Sequence, residues 1–321
     1  MDTISHRMIL VNGIRMHLAE KGEGEGRPVV VLLHGFPELW YSWRHQIIAL
    51  SSLGYHAVAP DLRGYGDTDS PPSVSSFTYH HLVGDLVTLV NHLGVDRVFL
   101  VGHDWGAMIG WHLCLFRPDM VKAFVCLSVP LRPRDPLNKP IATMRRVFGE
   151  NYYMCRFQVP GVMEAEIEGF GAAEFLAQTF AMRKPGPPML PGGNLSKIFE
   201  EKLIDLPSWL TEEDIAYYAS KYNEKGFTGG LSYYRALDLN WELTAAWDGA
   251  EVKVPVKYVV GEVDAVYTTP GMKEYVHSPL FKELVPFLDP IVVLEGVGHF
   301  LNQEKPEVVC SHICNYFNNF R

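Results

Sequence analysis

The chain has 321 residues, 47% hydrophobic and 20% charged, an ordinary globular composition that excludes wholesale disorder. Its formal net charge of −9 argues against nucleic acid or an anionic membrane surface as the main partner. No apolar run reaches the ~18 residues of a membrane-spanning helix, residues 1–7 hold no apolar leader, and the five scattered cysteines (Cys114, Cys126, Cys155, Cys310, Cys314) read as buried thiols. A cytoplasmic, reducing location is the expectation.

In chain order, apolar runs at 8–11 and 14–18 flank Asn12-Gly13, a strong hairpin signal. Residues 29–33 are continuously apolar, as in a strand buried on both faces. Similar runs recur at 56–59, 98–101, 124–127, 256–260 and 291–294, with helical patterns at 43–53 and 79–93 between the early ones. Strands alternating with helices imply a parallel sheet with right-handed crossovers. The alternation breaks between about 131 and 240, where helical patterns lie near 141–149, 161–182 and 211–222. Within it, the Pro/Gly-rich stretch 184–193 excludes helix and central strand. The expected architecture is α/β: a mostly parallel sheet in two parts, 1–131 and 241–321, with an inserted helical cap at 132–240.

The most informative stretch is Gly102-His103-Asp104-Trp105-Gly106. It follows the 98–101 strand and precedes a helical pattern, the strand–turn–helix context of a nucleophile elbow, with aspartate where serine is usual. A carboxylate at a helix N-terminus is favoured by the dipole and ionised at neutral pH. As a nucleophile it attacks electrophilic carbon and leaves an ester. Release of that ester needs a base and a group to orient it. Asp264, after the 256–260 strand, and His299, after the 291–294 strand, fall at the C-terminal edge of the sheet, where such sites form. Asp264 is read as orienting the imidazole and His299 as deprotonating water. The loop His34-Gly35-Phe36-Pro37-Glu38 directly follows the 29–33 strand, so the Phe36 N–H, with that of Trp105, is the expected oxyanion hole. The Trp105 indole is expected to form a pocket wall. No histidines stand at metal-ligand spacing, so neither metal nor cofactor is expected.

Taken jointly, residues 34–38, Asp61-Leu62-Arg63-Gly64-Tyr65-Gly66, the elbow and Gly298-His299 resemble the epoxide hydrolases of the α/β-hydrolase superfamily. The stretches 34–46 and 156–161 look most like the soluble plant enzymes, and the similarity spans essentially the whole chain. The resemblance implies the α/β-hydrolase fold and two cap tyrosines that hydrogen-bond the epoxide oxygen, matching Tyr153 and Tyr234. Each stands in a Tyr-Tyr pair, so Tyr152 and Tyr233 remain one-residue alternatives. Glu38 and His103 flank the catalytic loops and are expected to position the hydrolytic water, although Glu38 could equally pair with an arginine such as Arg44. The implied substrates are a small hydrophobic epoxide, such as a fatty-acid or aryl epoxide, and water. The competing readings are a haloalkane dehalogenase, which needs a halide donor that the Phe36 side chain lacks, and a non-catalytic receptor on the same scaffold.

Overall fold

The computed structural model describes residues 4–191, 195 and 205–321. β1 (Ser5–Val11) and β2 (Ile14–Lys21) form the expected hairpin across Asn12 and Gly13. β3 (Val29–Leu33), β4 (His56–Pro60), β5 (Val98–His103), β6 (Val121–Leu127), β7 (Val256–Gly261) and β8 (Val292–Leu294) complete one sheet in the order β1-β2-β4-β3-β5-β6-β7-β8. From β4 to β8 every pairing is parallel; β1 and β2 are antiparallel at one edge. Every residue of β3, β4 and β5 is buried, which is why these segments read as unbroken apolar runs.

Helices α1 (Arg44–Ser52), α2 (Tyr79–His92) and α3 (Trp105–Phe116) connect these strands. The chain leaves β3 for β4 on one side and returns to β5 on the other, so the sheet order reverses between β3 and β5. A crevice opens outside the strand ends at such a switch point. The 34–38 loop and the elbow both emerge there.

Between β6 and β7 the described chain is helical: α4 (Pro140–Phe148), α5 (Tyr153–Arg156), α6 (Val162–Phe170), α7 (Ala172–Ala181), α8 (Glu212–Lys225), α9 (Thr228–Arg235) and α10 (Leu237–Leu243). The 161–182 pattern is two helices rather than one, because Gly171 (φ 96°, ψ 129°) leaves helical backbone between them. The stretch 184–191 contains neither helix nor ladder strand; residues 192–193 lie outside the described set. α8 is clamped to the core by hydroxyls. Tyr41 Oη donates to Asp214 at 2.9 Å, Ser42 Oγ and Tyr218 Oη lie 2.6 Å apart, and Tyr222 Oη donates to the Glu38 carbonyl at 3.2 Å. The chain closes with α11 (Met272–Val276), α12 (Pro279–Leu284), α13 (Leu301–Glu304) and α14 (Pro306–Phe317). Among the described residues no helix is long and apolar enough to cross a membrane.

The Asp61–Gly66 segment is built into this frame rather than into the chemistry. Asp61 accepts from the Trp40 and Asp67 N–H groups and faces His17 Nδ1 at 2.8 Å. Arg63 forms a bidentate pair with Asp85 of α2, at 2.8 and 2.6 Å, with both side chains almost fully buried. Burial pushes the Asp85 carboxyl above its ordinary value despite the guanidinium. Removing one partner of such a pair leaves an uncompensated charge, a loss of about 3–5 kcal/mol. Asp85→Ala is therefore expected to lower unfolding stability by about that amount in urea titration; a change below about 1 kcal/mol would show that water replaces the carboxylate.

Candidate active site

Asp104 sits at the turn between β5 and α3 with φ 52° and ψ −118°, a backbone costly for any residue with a Cβ and tolerated where surrounding structure imposes it. The turn is tight: a Cβ on Gly106 would overlap the Leu33 and His34 carbonyls, and one on Gly35 would overlap the Asp104 side chain. That close approach lets the Phe36 N–H donate to Asp104 Oδ1 at 2.8 Å. Trp105 is the first residue of α3, so its N–H has no acceptor within the helix.

His299 Nε2 lies 3.6 Å from Asp104 Oδ2, and its Nδ1 lies 2.9 Å from Asp264 Oδ1. The three residues expected from strand ends are thus brought into one line. Asp104 and His299 side chains are 14% and 15% exposed, which leaves both reachable; Asp264 is wholly buried. Burial pushes the Asp104 carboxyl up, but His299, His103 and the Phe36 N–H outweigh it and hold the group below its ordinary value. Burial alone would lower the His299 imidazole, yet Asp264 and Asp104 together hold it well above its usual value.

An aromatic box closes over Asp104. Tyr234 packs edge-on against Trp105, Phe157 and Phe36 at 5.0, 5.0 and 5.6 Å between centroids, and Tyr153 lies 5.8 Å from Tyr234. Burial raises both phenols well above 10, and the Asp104 charge adds to it at each. Tyr233 is engaged elsewhere: its Oη donates to the Arg63 carbonyl at 2.8 Å. Tyr152 packs tilted against Phe148 at 4.7 Å, and its hydroxyl is hydrogen-bonded to that of Tyr153. The charges acting on Tyr152 and Tyr233 come from Arg132 and from Asp85 with Arg63, not from Asp104.

Glu38 is paired with His103, not with Arg44. His103 Nδ1 lies 2.6 Å from Glu38 Oε2, and Arg44 instead meets Asp214 at 3.1 Å. The Arg44 guanidinium is spent on Asp214, the Tyr41 carbonyl and Gln303 Oε1, whereas Glu38 is fully buried against His103 and the Gly35 N–H. His103 Nε2 faces the His299 carbonyl at 2.8 Å, an acceptor only, so that nitrogen carries a proton. Glu38 Oε2 also accepts the Gly35 N–H at 2.9 Å. This network ties the loops of Gly35, His103 and His299 together.

Ser128 is absent from the sequence expectation, yet its Oγ lies 3.0 Å from His299 Nδ1. The signal was present: it directly follows the 124–127 strand, the same logic that finds Asp264. One grouping among the described residues has metal-ligand spacing, His17, Asp61 and Asp67. Its atoms are already committed, His17 to Asp61 and Asp67 to Lys221 at 2.7 Å.

Compared with known proteins, residues 28–174 match the alpha/beta hydrolase fold family. The chain is 56% identical over 320 residues to Epoxide hydrolase 1 of Siraitia grosvenorii, covering 100% of each. It is 58% identical to an epoxide hydrolase of known crystal structure from Vigna radiata, with a TM-score of 0.96 and coverage of 100% of this chain and 99% of that one. A mutant Vigna radiata epoxide hydrolase is 57% identical, with a TM-score of 0.97 and coverage of 100% of both chains.

Proposed function

The chain belongs to the epoxide hydrolases of the α/β-hydrolase fold, and on that premise we propose that it converts epoxides and water to vicinal diols through an ester on Asp104. The observation that carries this reading is a carboxylate at the elbow whose Oδ1 is held by the Phe36 N–H while Oδ2 lies 3.6 Å from His299 Nε2.

In the first step Asp104 Oδ2 attacks an epoxide carbon. The ring C–O bond breaks, its electron pair goes to oxygen, and Tyr153 and Tyr234 hold that oxygen and supply its proton. An alkoxide is far more basic than a phenolate, so phenols raised above 10 still give up a proton to it while remaining neutral before the reaction. In the second step water attacks the Asp104 carboxyl carbon as His299 takes a proton. Esterification has by then removed the Asp104 charge, one of the two carboxylates that hold the imidazole's proton, so His299 becomes available as a base. The oxyanion develops on Oδ1, where the Phe36 N–H already sits and the Trp105 N–H is free to join. Collapse expels the diol, and the protons of water end on the departing oxygen and on the tyrosine.

Glu38 and His103 serve the water by holding the Gly35 N–H and the His299 carbonyl in place. The segment 132–240 acts as the cap, and its helices α5 and α9 bring Tyr153 and Tyr234 over the core. Phe36, Trp105 and Phe157 around the tyrosines favour an apolar substrate, such as an aryl or fatty-acid epoxide. No cofactor enters these steps. A cytoplasmic location is part of this reading, supported by five buried, free cysteines. Nothing in the geometry favours the dehalogenase or receptor alternatives: two phenols face the nucleophile, and all three members of the triad are in line.

A single turnover in heavy-oxygen water tests the scheme. The label is expected in Asp104 and the first diol is expected unlabelled, because the carboxylate donates its own oxygen. Immediate appearance of label in the diol would replace the ester with direct attack by water.

A further inference from the structure

Among the described residues only three non-glycine positions have positive φ: Asn12 in the hairpin, Asp104 at the elbow, and Ser128 at 73°. The first is a turn where asparagine is at home, and the second is the nucleophile. Ser128, fully buried directly after β6, is the central residue of a γ-turn in which the Val129 N–H donates to the Leu127 carbonyl at 3.0 Å, and such strained backbone persists only where its surroundings over-determine it. Here they do. The Ser128 N–H donates to the Val259 carbonyl at 3.0 Å, and the Ser128 carbonyl accepts the Tyr258 hydroxyl at 2.5 Å. With the backbone latched on both sides, Oγ stands 3.0 Å from His299 Nδ1, beside the 2.9 Å contact from that nitrogen to Asp264.

Asp264 is short of donors. Its Oδ1 accepts the Val266 N–H at 2.8 Å and faces His299, but its Oδ2 is buried with no hydrogen-bond partner among the described residues. An unpartnered carboxylate oxygen in the interior is costly. The imidazole gives its Nδ1 proton to Asp264, which leaves the Ser128 proton available for the same carboxylate.

We propose that Ser128 is a positioning residue for the hydrolytic half-reaction: its hydroxyl donates to Asp264 and its oxygen caps the Nδ1 edge, fixing the imidazole plane with the proton on Nδ1. Ser128 touches neither substrate nor nucleophile, and it acts only through His299 and Asp264. The inference rests on the reading of that pair as the base for ester hydrolysis.

The direction of its effect on pH follows from charge. The groups facing the imidazole are Asp264 from the loop after β7, Asp104 from the elbow, and the His103 ring 4.8 Å away, itself paired with Glu38. In the ester, Asp104 is neutral. When the imidazole is also neutral, the Asp264 charge is compensated only by hydrogen bonds, and the Ser128 donor matters most. When the imidazole is protonated, it compensates that charge directly. Removing the hydroxyl therefore destabilises the proton-poor form, raises the pKa of the pair, and moves the acid limb of ester hydrolysis to higher pH.

Rapid-mixing kinetics with styrene oxide separate the two half-reactions. Ser128→Ala and Ser128→Gly are both expected to slow ester hydrolysis about tenfold, leave ring opening within about twofold, and shift the acid limb upward. Alanine keeps the unfavourable φ and glycine relieves it, so equal losses identify the hydroxyl as the cause. Recovery of the wild-type rate in Ser128→Gly, or an unmoved hydrolysis rate and pH limb in either variant, overturns the proposal. If Ser128→Ala fails to fold, Ser128→Gly gives the same readout without strain. Wild-type protein that makes no diol from any epoxide would overturn the functional reading itself, and the proposal with it.

Discussion

His299→Gln is expected to stop after ring opening and to leave protein heavier by one substrate mass. Glutamine cannot take a proton from water, while Asp104 keeps its Phe36 hydrogen bond and its approach to the epoxide. Loss of a general base commonly costs about 10²–10⁴-fold in rate, and here all of it falls on the second step. The first step should suffer less. The imidazole contributes charge near Asp104 at 3.6 Å but makes no bond to the epoxide. Intact-protein mass spectrometry after mixing with excess styrene oxide measures the adduct, and peptide mapping should place it on Asp104. A variant that loses turnover without gaining mass, in a protein whose wild type makes diol, would mean that the carboxylate is not the nucleophile.

Much of this site is legible in the sequence, for a physical reason. Strands buried on both faces must be apolar throughout, so β3, β5, β6 and β7 announce themselves, and the residues just past their ends fall at one edge of a parallel sheet. Phe36, Asp104 and Asp264 follow from that rule, and His299 from the run at β8. Features set by contacts between distant segments were not legible. Glu38 has no sequence neighbour that identifies His103 as its partner, 65 residues away, and Arg44 looked equally available. The break at Gly171 was hidden because an apolar pattern continues across it. Ser128 needed the latch from Tyr258, 130 residues distant, to make its orientation meaningful.

The register of the cap tyrosines is the sharpest case, and it yields the second large effect. One residue along an α-helix turns a side chain by about 100°, so the Tyr233-Tyr234 pair within α9 can present only one ring to Asp104; Tyr152 precedes α5 in extended backbone, its ring 4.8 Å from that of Tyr153. In α9 the choice is fixed from outside: Tyr233 is held by the Arg63 carbonyl, itself positioned through the Arg63–Asp85 pair, and Tyr234 is left facing Trp105 and Phe36. In α5 it is Tyr153 that approaches Tyr234. Two donors on one developing alkoxide partly substitute for each other. Tyr153→Phe or Tyr234→Phe alone should therefore slow ring opening by about 10²-fold, the loss seen when one donor to a developing oxyanion is removed. The double variant should lose about 10⁴-fold or more, because the alkoxide then has neither a hydrogen bond nor a proton source. Ester hydrolysis, which only returns a proton to whichever phenol gave one up, should persist in single variants pre-loaded with substrate. Tyr152→Phe removes only the hydroxyl hydrogen-bonded to Tyr153, so it should slow ring opening far less than Tyr153→Phe. Tyr233→Phe should open the ring at close to the wild-type rate while losing about 1–3 kcal/mol of stability, since the buried Arg63 carbonyl is left without its donor. Rapid-quench measurement of the first step in these five variants decides the register: a Tyr233→Phe enzyme that folds normally but cannot open the ring would reverse the assignment in α9, and the same result for Tyr152→Phe would reverse it in α5.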